Sequence, residues 1–309
     1  MNLKHSIGSA TQGGTHVSLK LADFDRTHVA KPPLKWAGGK RWLVPYLRPL
    51  WEPFRECRLV EPMCGGLAVA LGLNPNKALL NDINTHAVNF FRWLKRGLVI
   101  TTIRMQNSSP LYYSHRSRFN ELVRSDKSET KEAAELFYYL NRTCYNGLCR
   151  FNRAGEFNVP FGRYRRIHYT RDFTAYKKAF RKWKFTMGDF ADVPLEQGDF
   201  VYADPPYDVE FTAYSREGFS WDDQVRLAQW LSKHPGPVVV SNQATPRMRR
   251  LYTAQGFQLR ILDAPRLISC NGDRKPAKEL LAVRNMPGNI LALPGLSARL
   301  SRMMPRGSN

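Results

Sequence analysis

The chain has few cysteines, and it lacks both a cysteine pair at metal-ligand spacing and a long apolar run. Its 5 cysteines are odd in number and none forms a Cys-x-x-Cys pair. That pattern argues against a disulfide framework and a zinc site, and it is typical of a reducing compartment. No apolar stretch approaches the roughly 18 residues of a membrane span, and residues 1–30 lack the apolar segment of a signal peptide. We therefore expect a cytoplasmic protein without a metal site or a membrane segment.

Acidic residues are scarce relative to basic ones. The 309 residues include 26 Asp and Glu against 47 Lys and Arg, which gives a formal net charge of +21. A balance this basic favours a polyanionic partner, of which nucleic acid is the commonest. A basic protein without such a partner, or one bound to anionic lipid, would show the same balance, but no Lys-rich amphipathic helix supports the lipid alternative. With 43% hydrophobic residues, the chain can bury a substantial core.

Strand and helix patterns alternate along most of the chain, which favours βαβ units and a mostly parallel α/β sheet. The predicted strands are Arg58–Val60, Ala78–Asn81, Phe185–Met187, Asp199–Ala203, Pro237–Ser241, Gln258–Asp263 and Glu279–Val283. The predicted helices are Trp42–Leu47, Ala68–Leu71, His86–Arg96, Lys131–Arg142, Trp221–Lys233 and Arg247–Thr253.

The alternating part is interrupted, and both ends of the chain differ from it in composition. Residues 97–184 are dense in Arg, Lys, Tyr and Asn and have few strand signals, as expected of an insert that recognises a substrate. The sheet would then be assembled from two segments, 31–96 and 185–286. Residues 1–30 are predicted to be a poorly ordered extension, and residues 287–309 a basic tail.

The motif Asp-Pro-Pro-Tyr follows a short apolar, β-prone run at residues 200–203. Prolines end a strand because they cannot donate to the ladder, so Asp204 and Tyr207 would lie at the carboxyl edge of the sheet, where open α/β sheets bind ligands. The Pro205 and Pro206 carbonyls would offer acceptors without donors. A carboxylate and a carbonyl could then accept both hydrogens of a nucleobase amine, while Tyr207 stacks on the base. The alternative is a Pro-Pro strand end with a solvent-facing Asp.

A second motif is a glycine turn between a strand and a helix, Glu-Pro-Met-Cys-Gly-Gly-Leu. Gly65 and Gly66 would let a nucleoside cofactor lie against the backbone. One βα unit later, Asp82 follows a strand and could accept hydrogen bonds from ribose hydroxyls. Neither a dinucleotide fingerprint nor a phosphate loop is present in the sequence, which favours a nucleoside without a pyrophosphate. An earlier Lys-Trp-Ala-Gly-Gly-Lys segment adds Trp36 and Lys40 beside another glycine pair, although alone it could be a surface turn.

Aromatic, amide and guanidinium side chains alternate between residues 139 and 164. Such side chains can read guanine in the major groove and fill the space left by an extruded base. A run of basic residues nearby would neutralise phosphates, although some of them could simply form a solvated face: Arg163, Arg165, Arg166, Lys177, Lys178, Arg181 and Lys182.

Taken in order, the motifs Lys-Trp-Ala-Gly-Gly-Lys, Asn-Gly-Leu-Cys-Arg, Phe-Asn-Val-Pro-Phe-Gly-Arg-Tyr and Asp-Pro-Pro-Tyr resemble those of Dam-type, α-group adenine-specific DNA methyltransferases. The resemblance spans residues 31–283. It implies a Rossmann-like S-adenosylmethionine-dependent methyltransferase sheet with an inserted, mostly helical target-recognition domain at 97–184. It also implies a bacterial or phage-encoded enzyme that uses S-adenosylmethionine to methylate the N6 amine of adenine in double-stranded DNA, most often in GATC. One departure is Cys-Gly-Gly-Leu at residues 64–67, where the family usually has a Phe-x-Gly-x-Gly form.

The resemblance also implies roles for individual residues, with no metal among them. Asp204, Pro205, Pro206 and Tyr207 would be catalytic. The cofactor would contact Trp36, Lys40, Gly65, Gly66, Asp82 and Asp204, and Phe190 would flank its adenine. Lys35 and Arg150 would read guanines, Leu148 and Pro160 would touch thymine, and Tyr145 and Asn146 would occupy the vacated stack.

The predicted reaction is direct in-line transfer to a flipped adenine, by a monomer and without a covalent enzyme intermediate. Two alternatives remain open at this point. An enzyme of the same class could act on RNA adenine or on a protein glutamine, although glutamine methylases of this fold carry Asn-Pro-Pro-Tyr, whereas this chain carries Asp204. A catalytically silent DNA-binding protein could also retain the scaffold.

Overall fold

The structure is a computed structural model that describes residues 31–207, 218–264 and 277–287. The predicted extension (1–30), and the predicted tail after Pro287, lie outside the described residues. The strands are β1 Arg58–Glu61, β2 Lys77–Asp82, β3 Trp183–Met187, β4 Phe200–Ala203, β5 Val238–Gln243, β6 Gln258–Ala264 and β7 Ala277–Arg284. The α-helices are α1 Val44–Trp51, α2 Ala68–Leu73, α3 Thr85–Arg96, α4 Ser109–Arg124, α5 Lys131–Thr143, α6 Thr174–Ala179, α7 Trp221–Ser232 and α8 Pro246–Ala254.

The seven strands form one sheet in the order β3-β2-β1-β4-β5-β7-β6. Neighbours from β3 to β5 are parallel, whereas β7 lies between β5 and β6 and is antiparallel to both. Each predicted strand is present, and its ends agree with the prediction within a residue or two. The prediction of a mostly parallel α/β sheet is therefore confirmed.

Side chains that alternate along the strands divide the core between the two faces of the sheet. Leu59 packs on the face covered by α1, α3 and α5, whereas its neighbour Val60 packs with α7 and α8 on the other face. The buried strands are accordingly almost continuously apolar, as expected for a sheet covered on both sides.

The residues between α3 and β3 pack against α3 through aromatic side chains. Phe90 of α3 stacks on Tyr138 of α5 with ring centroids 5.5 Å apart, and it meets Phe173 edge-on at 5.6 Å. All six predicted helices are present, but α4 and α6 were not predicted. Trp183 already belongs to β3, so the sheet resumes slightly before the predicted boundary at 185; the division into an insert and a catalytic domain stays a prediction.

The cysteines and acidic residues of the described segments show no metal-binding cluster or disulfide. Cys57, Cys64, Cys144 and Cys149 are free thiols, and within the described ranges no group of three or more His, Cys, Asp or Glu could hold a metal ion. No described helix has both the length and the apolar character to cross a bilayer.

Candidate active site

The carboxyl ends of the parallel strands bring the predicted catalytic and cofactor residues to one edge of the sheet. Asp82 ends β2, the Gly65–Gly66 turn follows β1, and Asp204 follows β4. Because β7 runs antiparallel to β5, its beginning lies at this same edge, and Glu279 there pairs with Gln243 at the end of β5. The edge therefore carries an acidic residue that the sequence reasoning did not select.

Asp204 is held by two side chains that contact the same carboxylate oxygen. Lys40 Nζ lies 2.8 Å from Asp204 Oδ1, and Ser241 Oγ donates to Oδ1 at 2.9 Å. Ser241 is in turn fixed by Tyr202 of β4, with their hydroxyl oxygens 2.7 Å apart. Burial raises the pKa of Asp204, while Lys40 and Ser241 oppose that rise. Both contacts fall on Oδ1, and within the described residues no hydrogen bond or ion pair is made to Oδ2.

Lys40 is buried between two carboxylates. Its side chain is 4% exposed, and its Nζ also lies 3.7 Å from Glu279 Oε1 and 4.8 Å from the centroid of the Tyr207 ring. The Tyr207 hydroxyl donates to Glu279 Oε2 at 2.5 Å. Burial raises the pKa of Glu279 to about 7, an effect that Lys40 and Tyr207 reduce and Asp204 increases. The Lys40 ammonium is therefore a counter-ion of both Asp204 and Glu279.

The Pro-Pro turn is fixed from α7. Gln224 donates to the Pro206 carbonyl at 2.8 Å, and Asn242 of β5 orients Gln224 by donating to its Oε1 at 3.1 Å. Pro205 is buried, whereas Tyr207 keeps 36% of its surface exposed. Gln224 and Asn242 position the motif, and sequence alone gave no sign of this role.

The glycine turn after β1 is packed against an indole ring. A Cβ on Gly65 would lie 2.7 Å from Trp36 Nε1, and one on Gly66 would lie 2.7 Å from Trp36 Cβ, so neither position has room for a side chain. The Asp82 carboxylate accepts from the Gly65 amide at 2.7 Å and from the Asn84 amide at 2.9 Å. Burial raises the pKa of Asp82, and these two amides counteract the rise.

Leu67 ends this turn with a φ of +64°, in the left-handed region that favours glycine. When the Phe-x-Gly-x-Gly form is placed on residues 63–67, its second glycine falls on Leu67. Leu67 thus replaces a family glycine but keeps the left-handed backbone conformation typical of glycine. Its side chain is fully buried and packs into the core.

Two more residues at this edge were not selected from the sequence. Glu61, at the end of β1, is 2% exposed, and burial, followed by the charge of Asp204, raises its pKa well above the usual range. Ile83, directly after Asp82, is 78% exposed.

Phe190 lies in a filled environment rather than an open one. It is 4% exposed, and the Arg226 guanidinium sits 4.2 Å from its ring centroid. Arg226 is itself held by both carboxylate oxygens of Asp189 at 2.7 and 2.8 Å. A role for Phe190 beside a cofactor ring stays a prediction.

The Lys35 side chain is engaged within the protein. Its Nζ donates to the Arg142 carbonyl at 3.1 Å and lies 3.7 Å from the centroid of the Tyr164 ring. The backbone of Lys35 exchanges two hydrogen bonds with the Asn141 side chain, at 2.9 and 2.8 Å. Burial, and then the charge of Arg142, lowers the pKa of Lys35. These contacts connect the first glycine segment to α5.

The other predicted DNA-contacting residues are collected on an exposed surface after α5. Tyr145 is 51% and Leu148 37% exposed. The Tyr145 amide donates to the Pro160 carbonyl at 2.8 Å, which joins the two loops. Arg150 is exposed, and its Nε donates to Asn158 Oδ1 at 2.8 Å. Asn146 is exposed and has a φ of +52°.

A cavity of about 260 Å³ lies between this surface and the Lys-Trp-Ala-Gly-Gly-Lys segment. It is lined by Trp36, Ala37, Gly147, Leu148, Cys149 and Arg150. Asn84, two residues after Asp82, donates to Cys149 Sγ at 3.3 Å. The seven basic residues between 163 and 182 that were expected to meet phosphates are all exposed.

Comparison with known proteins matches residues 36–264 to the family described as D12 class N6 adenine-specific DNA methyltransferase. This chain belongs to that family. It is 34% identical over 265 residues to the Retron Ec67 DNA adenine methylase of Escherichia coli, covering 81% of this chain and 90% of that protein. It is also 35% identical over 281 residues to the DNA N-6-adenine-methyltransferase of Escherichia phage P1; this region is 85% of this chain but only 36% of the phage protein. A solved Pyrococcus horikoshii structure assigned as an RNA methyltransferase matches 82% of this chain and 86% of its own, with 10% identity and a TM-score of 0.40.

Because the chain belongs to this family, it is an enzyme that uses S-adenosylmethionine as its methyl donor and DNA as its substrate. The family also confirms the Rossmann-like methyltransferase fold predicted from the sequence. The site fits the donor chemically. The Gly65–Gly66 turn has no side chain to block a nucleoside, Asp82 offers carboxylate acceptors beside it, and the buried carboxylates suit a cationic ligand.

Proposed function

We propose that this enzyme methylates the exocyclic N6 amine of adenine in duplex DNA, within GATC, after the base has been turned out of the helix. The observation that carries the proposal is the placement of Asp204. Its Oδ1 is taken by Lys40 and Ser241, and its Oδ2 faces no described partner at a partly exposed edge beside Tyr207. A base that enters there meets a carboxylate and an aromatic ring together.

The chemistry asked of Asp204 is the activation of a poor nucleophile. The lone pair of an aromatic amine is delocalised into its ring, so the amine must become more tetrahedral before it can react. Asp204 Oδ2 and the Pro205 carbonyl each accept one amine hydrogen and so favour that geometry, while Tyr207 stacks on the base. When bound, S-adenosylmethionine supplies an electrophilic methyl group on a sulfonium sulfur. The protein contributes position and the exclusion of water, and good alignment alone is worth up to about 7–11 kcal/mol.

The cofactor pocket in this proposal is formed by the residues around the glycine turn. Trp36, Gly65 and Gly66 form its wall, Asp82 accepts from the ribose hydroxyls, and Lys40 neutralises the acidic edge. Ile83 adds an exposed apolar surface beside Asp82.

In the proposed DNA complex, Lys35 and Arg150 read guanines and Leu148 and Pro160 contact thymine. Tyr145 and Asn146 fill the space that the adenine vacates. Arg150 is already oriented by Asn158, whereas Lys35 must exchange its contact with the Arg142 carbonyl for a base.

The test uses the full chain with methyl-labelled S-adenosylmethionine and three matched duplexes: one DNA with a single GATC, the same DNA with the first base pair of that GATC changed, and an RNA duplex of the GATC sequence. We expect label only on adenine N6, with each base change lowering the rate by about 5- to 150-fold, which corresponds to about 1–3 kcal/mol per mismatched pair. Equal labelling of both DNA duplexes would contradict GATC specificity, and preferential labelling of the RNA would contradict DNA as the preferred substrate.

The proposed cofactor pocket predicts the effect of a single methyl group. Gly66→Ala should weaken S-adenosylmethionine binding and lower the free energy of unfolding by about 1–3 kcal/mol, the range for overpacking, because the new Cβ would lie 2.7 Å from Trp36 Cβ. Calorimetric titration and denaturant unfolding measure the two effects. Gly198→Ala is the matched control, since a Cβ there meets nothing within 4 Å. Equal effects of the two substitutions would contradict this pocket wall.

A further inference from the structure

Glu279 is a buried carboxylate beside the catalytic motif, but it belongs to a distant part of the sequence. It is 1% exposed, and it sits near the beginning of β7, opposite Gln243 of β5. It lies outside the four sequence motifs that carry the family resemblance. Its position at the catalytic edge follows from the antiparallel direction of β7.

The carboxylate touches Tyr207 and Lys40 with different oxygens. Glu279 Oε2 accepts from the Tyr207 hydroxyl at 2.5 Å, and Oε1 lies 3.7 Å from Lys40 Nζ. A hydroxyl makes a short, strong bond to a carboxylate when the carboxylate is ionised, so this contact is strongest above the raised pKa of Glu279. With the hydroxyl fixed and Lys40 4.8 Å from the ring centroid, the Tyr207 ring is restrained at its far end and over its face.

We propose that Glu279 is a positioning residue for methyl transfer: it holds the Tyr207 ring in the orientation that stacks on the target base, and it shares the Lys40 ammonium with Asp204. This inference rests on the proposed function. A ring that is already immobile loses less freedom when the base stacks on it. The shared ammonium keeps Asp204 oriented through Oδ1.

In this role Glu279 acts through the Tyr207 hydroxyl, so the effects of changing the two residues should be coupled. A double-mutant cycle measures that coupling. Glu279→Gln keeps an acceptor for the hydroxyl, whereas Glu279→Leu removes it, and Tyr207→Phe removes the donor and leaves the stacking ring. We expect Glu279→Leu to lower the single-turnover rate about tenfold, within the range for coupled neighbours, and Glu279→Gln to retain part of that rate. Adding Tyr207→Phe to Glu279→Leu should cost little more than either change alone.

A second readout does not depend on methyl transfer. The fluorescence of a duplex with 2-aminopurine at the target adenine reports whether the extruded base is stacked. Glu279→Leu should leave more of that fluorescence unquenched on binding than the unchanged chain, and Glu279→Gln should lie between them. Asp263→Asn is the matched control, because Asp263 is an exposed carboxylate in the β6–β7 pair, 2.5 Å from Lys278 and distant from Asp204 in the sheet.

The outcomes separate this inference from the proposed function. Additive effects of the Glu279 and Tyr207 changes, or unaltered rate and fluorescence in both Glu279 variants, would overturn the role of Glu279 alone. Thermal unfolding identifies a Leu variant that fails to fold, and the isosteric Gln variant then decides. Absence of adenine methylation by the unchanged chain would contradict the proposed function. If binding of the unchanged chain also leaves the 2-aminopurine signal unaltered, the positioning role is overturned as well.

Discussion

Asp204→Ala should lower the single-turnover rate of adenine methylation by about 1,000-fold. The carboxylate is expected to stabilise an amine whose positive charge develops during transfer, and removing one such preorganised group costs about 100- to 1,000-fold. The alanine also releases Lys40 and Ser241, both of which now contact Oδ1. Asp204→Asn keeps one acceptor oxygen, so its rate should fall between those of the alanine variant and the unchanged enzyme.

Rapid-quench measurement with labelled donor and a GATC duplex tests this order of rates. Asp222→Ala provides the control, because Asp222 is an exposed carboxylate in the first turn of α7. Near-wild-type transfer by Asp204→Ala, or an equal loss in Asp222→Ala, would remove the carboxylate from the proposed mechanism.

Lys40→Met should lower the free energy of unfolding by about 3–5 kcal/mol, the cost of leaving a buried charge without its partner. Lys40 is 4% exposed, and it is the described counter-ion of Asp204 and of Glu279. Adding Glu279→Gln to Lys40→Met should recover part of the loss above about pH 7, where Glu279 would otherwise become ionised without its counter-ion. Urea unfolding monitored by circular dichroism measures these differences.

The control for Lys40 is Lys278, which forms an exposed ion pair with Asp263 in the same sheet. Lys278, 60% exposed, contacts Asp263 at 2.5 Å, and exposed pairs contribute about 0–1 kcal/mol. Lys278→Met should therefore change stability little. If the two lysine substitutions destabilise equally, Lys40 is not the counter-ion on which the buried carboxylates depend.

Local sequence patterns were sufficient to predict the strands, because most of these are short apolar runs, several of them followed by Pro, Gly or Asp. Val238–Gln243 and Phe200–Ala203 are buried along almost their whole length, so their composition identifies them. Helix α4 was missed because its apolar stripe is sparse: only Tyr112, Phe119 and Leu122 are buried among its 16 residues. Helix α6 has 6 residues and none is buried, which leaves no periodic signal at all.

Site residues that belong to contiguous sequence motifs were predicted. Those that reach the site only through the folding of distant segments were missed. Asp82 and Asp204 follow parallel strands, so their meeting at one edge could be anticipated. Glu279 lies near the start of its strand and reaches this edge only because β7 is antiparallel. Likewise, the sequence could not show that the Lys35 ammonium contacts the Arg142 carbonyl, since that contact depends on how α5 packs.

The paired hydrogen bonds between Lys35 and Asn141 have a thermodynamic consequence. Lys35 directly precedes Trp36, whose indole packs on the glycine turn, and Asn141 lies on the helix that leads into the loop proposed to read bases. The proposed donor pocket and the proposed duplex surface are therefore joined by one short covalent and hydrogen-bonded path. Linkage between two binding sites is reciprocal. If bound donor raises the affinity for a cognate duplex by some factor, bound duplex must therefore raise the affinity for the donor by the same factor.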